Sequence, residues 1–304
     1  PLYPLGIRSL KLKGDYDLII SSESGPAKGI TIPRGTPHVC YIHSPMRYCW
    51  GFTDEYLRSM SVVLRPIAKL FFSQLRSWDR TTVNNVTHYI ANSENVATRV
   101  KKYYNRDSSV VYPPIASSLS NRPLVHDAKR DVFLSFGAIT PYKRIDLLVD
   151  AFNQNGMDLI VIGDGSEREK LTRVANHNIK FLGSLEWDKI EYYLDRTRAL
   201  LFPGEEDFGM IPLEVMSYGI PVLAFGKGGA LETVVENTLT SQSSGMFFHN
   251  QTALSIQSCL EKFVLVENQY NKDWIRAHAM KFGEEVFLEN FKKEVDKVVK
   301  LDSK

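Results

Sequence analysis

Two glutamates, Glu206 and Glu214, form the pattern in this sequence that best suits binding chemistry, with seven residues between them. Glu206 lies in an acidic, glycine-containing loop, and Glu214 falls in the first turn of a predicted helix. A carboxylate repels a phosphate, but it accepts hydrogen bonds well from the hydroxyl groups of a sugar or a ribose. The spacing therefore fits a site for a hydroxylated ligand, and it equally fits a solvated loop before a helix with an acidic first turn.

The chain around the two glutamates predicts a strand, a loop and a helix. The apolar run 199–202 predicts a short buried strand. The helix is predicted to open near Ile211 and Pro212, because proline fits the first helical position, and to end at Gly219. A strand–loop–helix of this kind directs unpaired backbone N–H groups at the space above the loop, where an anion can bind.

Apolar strands alternate with helices from residue 131 onward. Strands are predicted at 132–136, 159–162, 180–182, 199–202, 222–225 and 245–248. Helices are predicted at 144–153, 167–176, 188–197, 231–236 and 252–264, besides the one that opens near Ile211. This alternation predicts a parallel sheet covered on both faces, whose ligands bind beyond the carboxyl ends of the strands. Loops at these ends are 137–143, 163–165, 183–185, 204–214 and 226–229.

Lys143 and Arg144 place two cations at the first of these strand ends. A diphosphate leaving group needs such charges, because negative charge builds on its bridging oxygen as the bond breaks. The same two residues also fit a pair of solvated surface cations. His43 ends a strand of the first part and is a candidate for the same site. The turn 163–165 lacks the three-glycine spacing of a dinucleotide fingerprint.

Composition indicates a globular protein of one large or two medium domains. The chain has 304 residues, of which 43% are hydrophobic and 24% charged. No run reaches the roughly 18 apolar residues of a membrane span, and no secretory signal opens the chain. Cys40, Cys49 and Cys259 lack metal-ligand spacing, and no other metal motif occurs, so we expect no metal, no disulfide and a cytoplasmic protein.

Charge is distributed unevenly between the two parts. Residues 1–130 carry 18 Lys and Arg against 9 Asp and Glu, whereas residues 131–304 carry 19 against 26. A basic first part suits an anionic ligand, or peripheral contact with the inner face of the cell membrane. Its segment 56–80 is basic and amphipathic, and Pro66 should kink or divide it. Membrane contact and inward packing both fit this segment, and inward packing is favoured because most amphipathic helices pack that way. No nucleic-acid partner is expected.

The residues singled out above also carry a resemblance to a known family. The span from Glu206 to Glu214 resembles the E-x7-E motif of retaining glycosyltransferases of family 4, which have the two-domain GT-B fold. Segments 137–146, 163–167, 203–223 and 228–232 match further motifs in the family order. Segments 39–48, 90–93 and 112–114 are similar to the WbaZ-like mannosyltransferase branch. The resemblance covers nearly the whole chain.

The resemblance implies a fold and a domain organisation. The expected fold is α/β, with two doubly wound, Rossmann-like parallel-sheet domains facing a cleft. We expect an acceptor-side domain at 1–115, a linker at 116–130 and a nucleotide-sugar-binding domain at 131–283. The last segment, 284–304, is expected to form a helix that packs back on the first domain.

The resemblance also implies an activity. The expected reaction moves mannose from GDP-mannose to a glycan or polyprenol-linked acceptor, with retention at the anomeric carbon and without a metal or other cofactor. Such a reaction belongs to cell-surface polysaccharide or glycolipid synthesis. The open alternatives are a catalytically idle nucleotide-sugar-binding subunit and a nucleotide-sugar epimerase of the same fold.

Site residues follow from the resemblance as well. Lys143, with Arg144, would hold the diphosphate, Glu206 the donor sugar hydroxyls, Glu214 the ribose hydroxyls, and His43 would lie by the donor sugar. The expected catalytic residues are His43, Lys143 and Glu206. The expected donor-binding residues are Gly137, Arg144, Gly163, Asp164, Ser184, Leu185, Phe208, Gly209, Met210, Ile211 and Glu214.

Two features depart from the family pattern. Ala138 stands where many members have an arginine, so Arg144 would have to supply the second cation. The opening strand and glycine-rich loop of the family are not found, and Pro1 is expected to correspond to the middle of the first domain. The first domain is therefore expected to be truncated at its start.

Overall fold

A computed structural model describes residues 3–10, 12–58, 60–120, 122–126 and 129–302. The chain forms two compact units. Unit 1 comprises Pro1–Pro113 together with Glu285–Lys304, and unit 2 comprises Pro114–Glu284. Residues 1–2 and 303–304, which belong to the predicted end segments, lie outside the described residues.

Unit 1 is built on a parallel sheet whose strands run in chain order. The strands are β1 (Ile19–Glu23), β2 (His38–Ile42), β3 (His88–Ala91) and β4 (Ser108–Val110). Its helices before unit 2 are α1 (Tyr3–Ser9), α2 (Thr53–Arg58), α3 (Arg65–Thr81) and α4 (Glu94–Tyr104). Every residue of β2 is buried, as expected of a parallel strand covered on both faces. Ser93 caps α4 by accepting a hydrogen bond from the N–H of Val96.

The basic stretch 56–80 divides into two helices. A short 3-10 helix, Val62–Leu64, separates α2 from α3, and Pro66 lies in the first turn of α3. Proline is tolerated there because the N–H groups of a first turn have no partner within the helix. Ser59 lies outside the described residues. The later turns of α3 bury Phe72, Leu75 and Trp78, whereas Ile67 and Leu70 of the first turns are exposed. Inward packing thus accounts for only part of the stretch.

A buried ionic network holds the interior of unit 1. Lys28 Nζ contacts the carboxylates of Glu23 and Asp79, and all three side chains are almost fully buried. Trp50 and Tyr104 also donate to Asp79, at 2.7 and 2.8 Å. Burial alone would lower the pKa of Lys28, but the two carboxylates outweigh it and raise that pKa. Since every charge has partners, the network is a structural element of the core.

Unit 2 is a doubly wound parallel sheet of the kind expected from the sequence. Its strands are β5 (Val132–Phe136), β6 (Leu159–Ile162), β7 (Ile179–Gly183), β8 (Thr197–Phe202), β9 (Val222–Phe225) and β10 (Gly245–Phe248). They lie in the order β10-β9-β8-β5-β6-β7. Helices of this unit are α5 (Ser117–Ser120), α6 (Ile145–Asn155), α7 (Arg168–Val174), α8 (Trp187–Asp195), α9 (Met210–Met216), α10 (Ala230–Thr233), α11 (Ala253–Val266) and α12 (Lys272–Met280). Apolar side chains from β5, α6 and α11 meet in its main core.

Helix α9 differs slightly from its prediction. It begins at Met210, so that Pro212 is its third residue, still within the first turn, whose N–H groups have no helical partner. It ends at Met216, and Gly219 supplies a left-handed turn (φ 64°) before β9. The strand–loop–helix predicted around Glu206 is therefore confirmed, with bounds shifted by one to three residues.

Segment 116–130, predicted as a linker, belongs to unit 2, and its described residues pack on the rest of that unit. Leu119 is buried, Arg122 forms two hydrogen bonds with Asp195, and Arg130 donates to the carbonyls of Tyr218 and Gly219. Side chains of the described part of this segment are therefore bonded to residues of unit 2, and its role as a linker stays a prediction. Asn121, Asp127 and Ala128 of the predicted linker lie outside the described residues.

The last helix, α13 (Glu284–Asp302), belongs almost entirely to unit 1. Phe287 and Phe291 pack edge-on against Tyr41 of β2, with ring centroids 5.8 and 5.6 Å apart. Tyr41 in turn donates a hydrogen bond to the carbonyl of Val111. In the described part of the chain, no helix is long and apolar enough to span a bilayer.

Candidate functional site

The sheet of unit 2 changes winding direction between β5 and β8. After β5 the chain adds β6 and β7 on one side, and then β8, β9 and β10 on the other. The loops that leave β5 and β8 therefore run to opposite faces, and a crevice opens between them at the carboxyl ends. A small cavity at this point is lined by residues of both loops, among them Gly137, Ala138, Lys143, Pro203 and Gly204. Sheets of this kind bind their ligands at such a point.

Lys143 and Glu206 meet at this crevice. Lys143 ends the 3-10 turn Pro141–Lys143 after β5, and its Nζ donates a hydrogen bond to Oε1 of Glu206 on the loop after β8. Their side chains are only 15% and 14% exposed. A pair this sheltered is less screened by water and salt than a surface pair. It puts a cation and a hydrogen-bond acceptor at one place, as a ligand with phosphate and hydroxyl groups requires.

Glycines let the strand-end loops approach each other closely. A Cβ on Gly163 would lie 1.8 Å from the carbonyl oxygen of Gly137, and one on Gly137 would lie 2.8 Å from the side chain of Ile211. A Cβ on Gly204 would lie 3.0 Å from Cα of Lys143. The absence of side chains at these positions is therefore what brings the loops of β5, β6 and β8 together.

The loop after β9 supports the loop that carries Glu206. Gly229 N–H donates to the carbonyl of Glu206 at 2.9 Å, and a Cβ on Gly229 would lie 2.2 Å from Cα of Phe208. Lys227 pairs with Glu205 at 2.9 Å. The prediction recognised the loop 226–229 as a strand end but gave these residues no role. The signals in the sequence are the two adjacent glycines after a buried strand and the match of segment 228–232 to a motif of the family.

Glu214 lies one turn into α9. Its carboxylate has no hydrogen-bond or ion-pair partner among the described residues. Burial raises its pKa above the ordinary value of a glutamate. The N–H groups of Gly209, Met210 and Ile211, at the start of the same helix, also donate to no acceptor in the described ranges. The segment therefore holds both acceptor and donor capacity that the protein itself does not use.

Arg144 is engaged elsewhere. Its guanidinium donates to both carboxylate oxygens of Asp146 and, at 3.1 Å, to Oε1 of Gln251. Gln251 in turn donates to the carbonyl of Pro203. Arg144 thus braces the β5 loop against the β8 and β10 loops, and Lys143 is the cation that reaches Glu206. The part played by Gln251 has no signal in the sequence.

The β6 and β7 loops lie at the same edge of the sheet. Gly163 N–H donates to the carbonyl of Gly183, so these two loops are joined, and Asp164 is paired with Arg168 at 2.9 Å. Ser184 is exposed and Leu185 half-buried just after β7. Phe208 is buried and packs on Phe282, so it presents backbone rather than side chain to any ligand.

His43 follows β2 in unit 1. Its Nε2 lies 2.8 Å from Oγ of Ser22, its ring packs edge-on against Tyr41, and its N–H donates to the carbonyl of Glu23. Burial lowers the pKa of His43 below the usual value, which favours the neutral imidazole. It therefore lies at the carboxyl edge of its own sheet, as the sequence predicted for the end of a strand.

Two wider clefts lie at the amino-terminal edge of the unit 2 sheet. One is lined by Arg130, Arg198 and Glu267, and the other by Asp131 and Arg196, among others. Arg198 and Arg196 are paired with Glu267 and Asp131. Arg130 is held by backbone carbonyls, and burial lowers its pKa to about 10. The two ion pairs are charges already matched within the protein, so the carboxyl edge remains the better candidate site despite its smaller cavity.

No group of three or more His, Cys, Asp or Glu side chains suited to a metal occurs in the described residues. The three cysteines are free and buried, and burial raises the pKa of each thiol to about 12. That the protein needs no metal remains a prediction, which removal of metal ions with a chelator can test.

Comparison with solved structures identifies the class of protein. The chain is similar to Anabaena HepE in complex with UDP and glucose, with a TM-score of 0.69 and 19% identity over 93% of this chain and 78% of that one. At this identity the likeness shows the fold. Two parallel-sheet α/β units with this likeness define the GT-B fold.

Comparison of sequences gives the family. The model of "Glycosyl transferases group 1" matches residues 118–279, and that of "Glycosyltransferase Family 4" matches residues 1–118. The chain therefore belongs to glycosyltransferase family 4.

Two relatives are mannosyltransferases by name. Alpha-1,3/1,6-mannosyltransferase ALG2 of Saccharomyces cerevisiae is 24% identical over 86% of this chain, and the chain spans 63% of its length. A GDP-mannose-dependent monoacylated alpha-(1-6)-phosphatidylinositol monomannoside mannosyltransferase of Corynebacterium glutamicum is 31% identical over 33% of this chain and 30% of its own length.

Proposed function

We propose that this chain transfers a mannosyl group from GDP-mannose to a glycan or lipid-linked acceptor, with retention of the anomeric configuration. The observation that carries the proposal is the Lys143–Glu206 pair at the switch point of unit 2. A sugar nucleotide presents a diphosphate and sugar hydroxyls side by side, and this pair offers one partner for each. The named relatives support the choice of mannose and of GDP-mannose.

Lys143 would leave Glu206 for the diphosphate when the donor binds. Its ammonium then stabilises the charge that develops on the leaving phosphate oxygen as the bond to the sugar breaks. The unused N–H groups of Gly209, Met210 and Ile211 provide further donors for an anionic or hydroxyl oxygen. Arg144 would act through position, because its guanidinium already binds Asp146 and Gln251.

The two glutamates would bind hydroxyl groups on the two sides of the diphosphate of the donor. Glu206, released from Lys143, accepts from the sugar, and Glu214 accepts from the ribose. The raised pKa of Glu214 fits a carboxyl that is half-buried until hydroxyl donors arrive. Gly163, Asp164, Ser184 and Leu185 would flank the base, since their loops lie at the same edge of the sheet.

The reaction would proceed by displacement on one face of the sugar. The bond from the anomeric carbon to the phosphate oxygen breaks, the acceptor hydroxyl oxygen bonds to that carbon on the same face, and the leaving phosphate takes the acceptor proton. The products are GDP and the mannoside. No protein nucleophile takes part, and His43 would lie beside the donor sugar as a neutral imidazole. We expect the reaction to need no metal.

A transfer assay with the protein tests this proposal. GDP-mannose is incubated with a polyprenol-linked acceptor, with UDP-glucose, UDP-N-acetylglucosamine and ADP-glucose as competing donors and with EDTA in a parallel series. We expect transfer from GDP-mannose that EDTA leaves unchanged, and an axial product linkage by NMR. Binding without turnover of any donor would indicate an idle binding subunit. Free sugar nucleotide with altered stereochemistry at C2 would indicate an epimerase.

A further inference from the structure

Five apolar side chains lie exposed within nine residues of unit 1. Val62, Val63 and Leu64 form the 3-10 helix before α3, and Ile67 and Leu70 follow in its first turns. Their exposed fractions are 69%, 81%, 55%, 68% and 63%. These five residues are named the docking patch.

The docking patch is unusual for a soluble surface. Single exposed apolar residues are normal, but a contiguous cluster marks an interaction site. The later turns of α3 bury Phe72, Leu75 and Trp78, so the helix already has its inward face. The residues of the docking patch are therefore a second apolar surface, which no described residue of unit 1 covers.

The charged residues of the segment that contains the docking patch have one sign. Residues 56–78 contain four basic residues and no acidic one. Of these, Arg58, Arg65 and Lys69 are next to or within the patch, and none forms an ion pair with a described side chain. The guanidinium of Arg65 donates to the carbonyls of Met60 and Arg58, which ties the two ends of the connection together. An apolar surface with unneutralised cations at its rim complements an apolar surface with anions at its rim.

We propose that the docking patch binds the surface of an anionic lipid bilayer. The five apolar side chains would enter the boundary between headgroups and acyl chains. Arg58, Arg65 and Lys69 would place their charges among the lipid phosphates while their aliphatic stems remain in the apolar layer. The contact lies on the membrane and does not cross it, since the described helices include none that can span it. This inference is independent of the reaction proposed above.

Vesicle binding tests the inference. The protein is mixed with phosphatidylcholine vesicles, with or without phosphatidylglycerol, and the bound fraction is measured by flotation. We expect binding to the vesicles that contain phosphatidylglycerol, weakening as salt is added. The double variant Arg58→Gln with Lys69→Gln should lower the partition coefficient about fivefold for each charge removed.

Variants of the apolar residues distinguish binding through the docking patch from non-specific hydrophobic adsorption to vesicles. The triple variant Val63→Ser, Ile67→Ser, Leu70→Ser should lower the partition coefficient by about tenfold or more. Its matched control replaces Leu254 and Leu265 of unit 2, which are 72% and 81% exposed, with serine and should bind as the unaltered protein does. Circular dichroism checks that each variant folds, which we expect because the replaced side chains face solvent.

Three results would overturn the inference. The first is no binding of the unaltered protein to anionic vesicles at low salt. The second is equal loss of binding in the patch variant and in the unit 2 control. The third is a dimer, measured by light scattering, that the three serines dissociate while vesicle binding stays unchanged, because the patch would then be covered by a second copy.

Discussion

Lys143 Nζ, on the loop after β5, donates a hydrogen bond to the carboxylate of Glu206, on the loop after β8. The two residues are 63 positions apart in the chain, and they meet because β5 and β8 are adjacent in the sheet. The pair lies at the point where the sheet reverses its winding. It places a cation and a hydrogen-bond acceptor in the crevice.

Replacement of Lys143 by alanine should weaken the binding of GDP. A hydrogen bond from a charged group contributes about 1.5–3 kcal/mol, so we expect the dissociation constant to rise by about 10- to 100-fold. Calorimetric titration with GDP measures it. The control is Lys170→Ala, since Lys170 is exposed on α7 and pairs with Glu167. Unchanged affinity in Lys143→Ala would show that the ammonium does not reach the diphosphate.

Replacement of Glu206 by alanine should lower the rate of transfer by about two orders of magnitude or more. The variant lacks the carboxylate that accepts hydrogen bonds from the donor sugar and so orients the sugar for reaction. Turnover of GDP-mannose measures the loss, and the unfolding temperature checks that the fold is kept. Glu205→Ala is the neighbouring control, because Glu205 pairs with Lys227. Equal turnover in Glu206→Ala and the unaltered protein would refute the role given to this carboxylate.

Glu214→Gln should change how stability depends on pH. Burial raises the pKa of Glu214 in the folded state, so the folded protein binds this proton more tightly than the unfolded chain does. Stability contributed by the neutral carboxyl is therefore present below the unfolded pKa and is lost as pH rises through the folded pKa. The glutamine variant removes this loss. In urea unfolding, its free energy of unfolding relative to that of the unaltered protein should therefore be higher at pH 7 than at pH 4. The same gain at both pH values would contradict the raised pKa.

Gly163→Ala should destabilise unit 2. The new methyl group would lie 1.8 Å from the carbonyl oxygen of Gly137, at a residue with a φ of 133°. Forcing the loops apart should cost about 1–3 kcal/mol, which a thermal scan would detect as a lower unfolding temperature. Gly25→Ala, where no atom lies within 4 Å of the new group, should change stability little. Equal midpoints for the two variants would mean that the β5 and β6 loops have room to separate.

Lys28→Ala should destabilise unit 1 by about 3–5 kcal/mol, because it leaves two carboxylates buried without their cation. Urea unfolding measures the change. The exposed pair of Lys101 and Asp107 supplies the comparison, and Lys101→Ala should cost less than about 1 kcal/mol. A small effect at Lys28 would mean that water reaches Glu23 and Asp79 in its absence.

Several elements were predictable because their signal is local. The strands 132–136, 159–162, 222–225 and 245–248 have the predicted bounds, since short apolar runs between turn residues admit few other structures. Strand β4 was not predicted, because Ser108 and Ser109 give an edge strand no apolar pattern. The contacts of Arg122 and Arg130 in the segment 116–130 were not predicted, because their partners are distant in sequence.

The sequence by itself determined that Lys143, Glu206 and Glu214 follow or flank buried parallel strands, because apolar periodicity and glycine placement act over a few residues. Tertiary structure alone decided that Lys143 reaches Glu206 while Arg144 turns to Asp146 and Gln251. Both cations have the same local pattern, and only the order of strands in the sheet and the close passage of glycine loops tell them apart. Contacts between distant positions of the chain depend on that packing, and no local pattern encodes them.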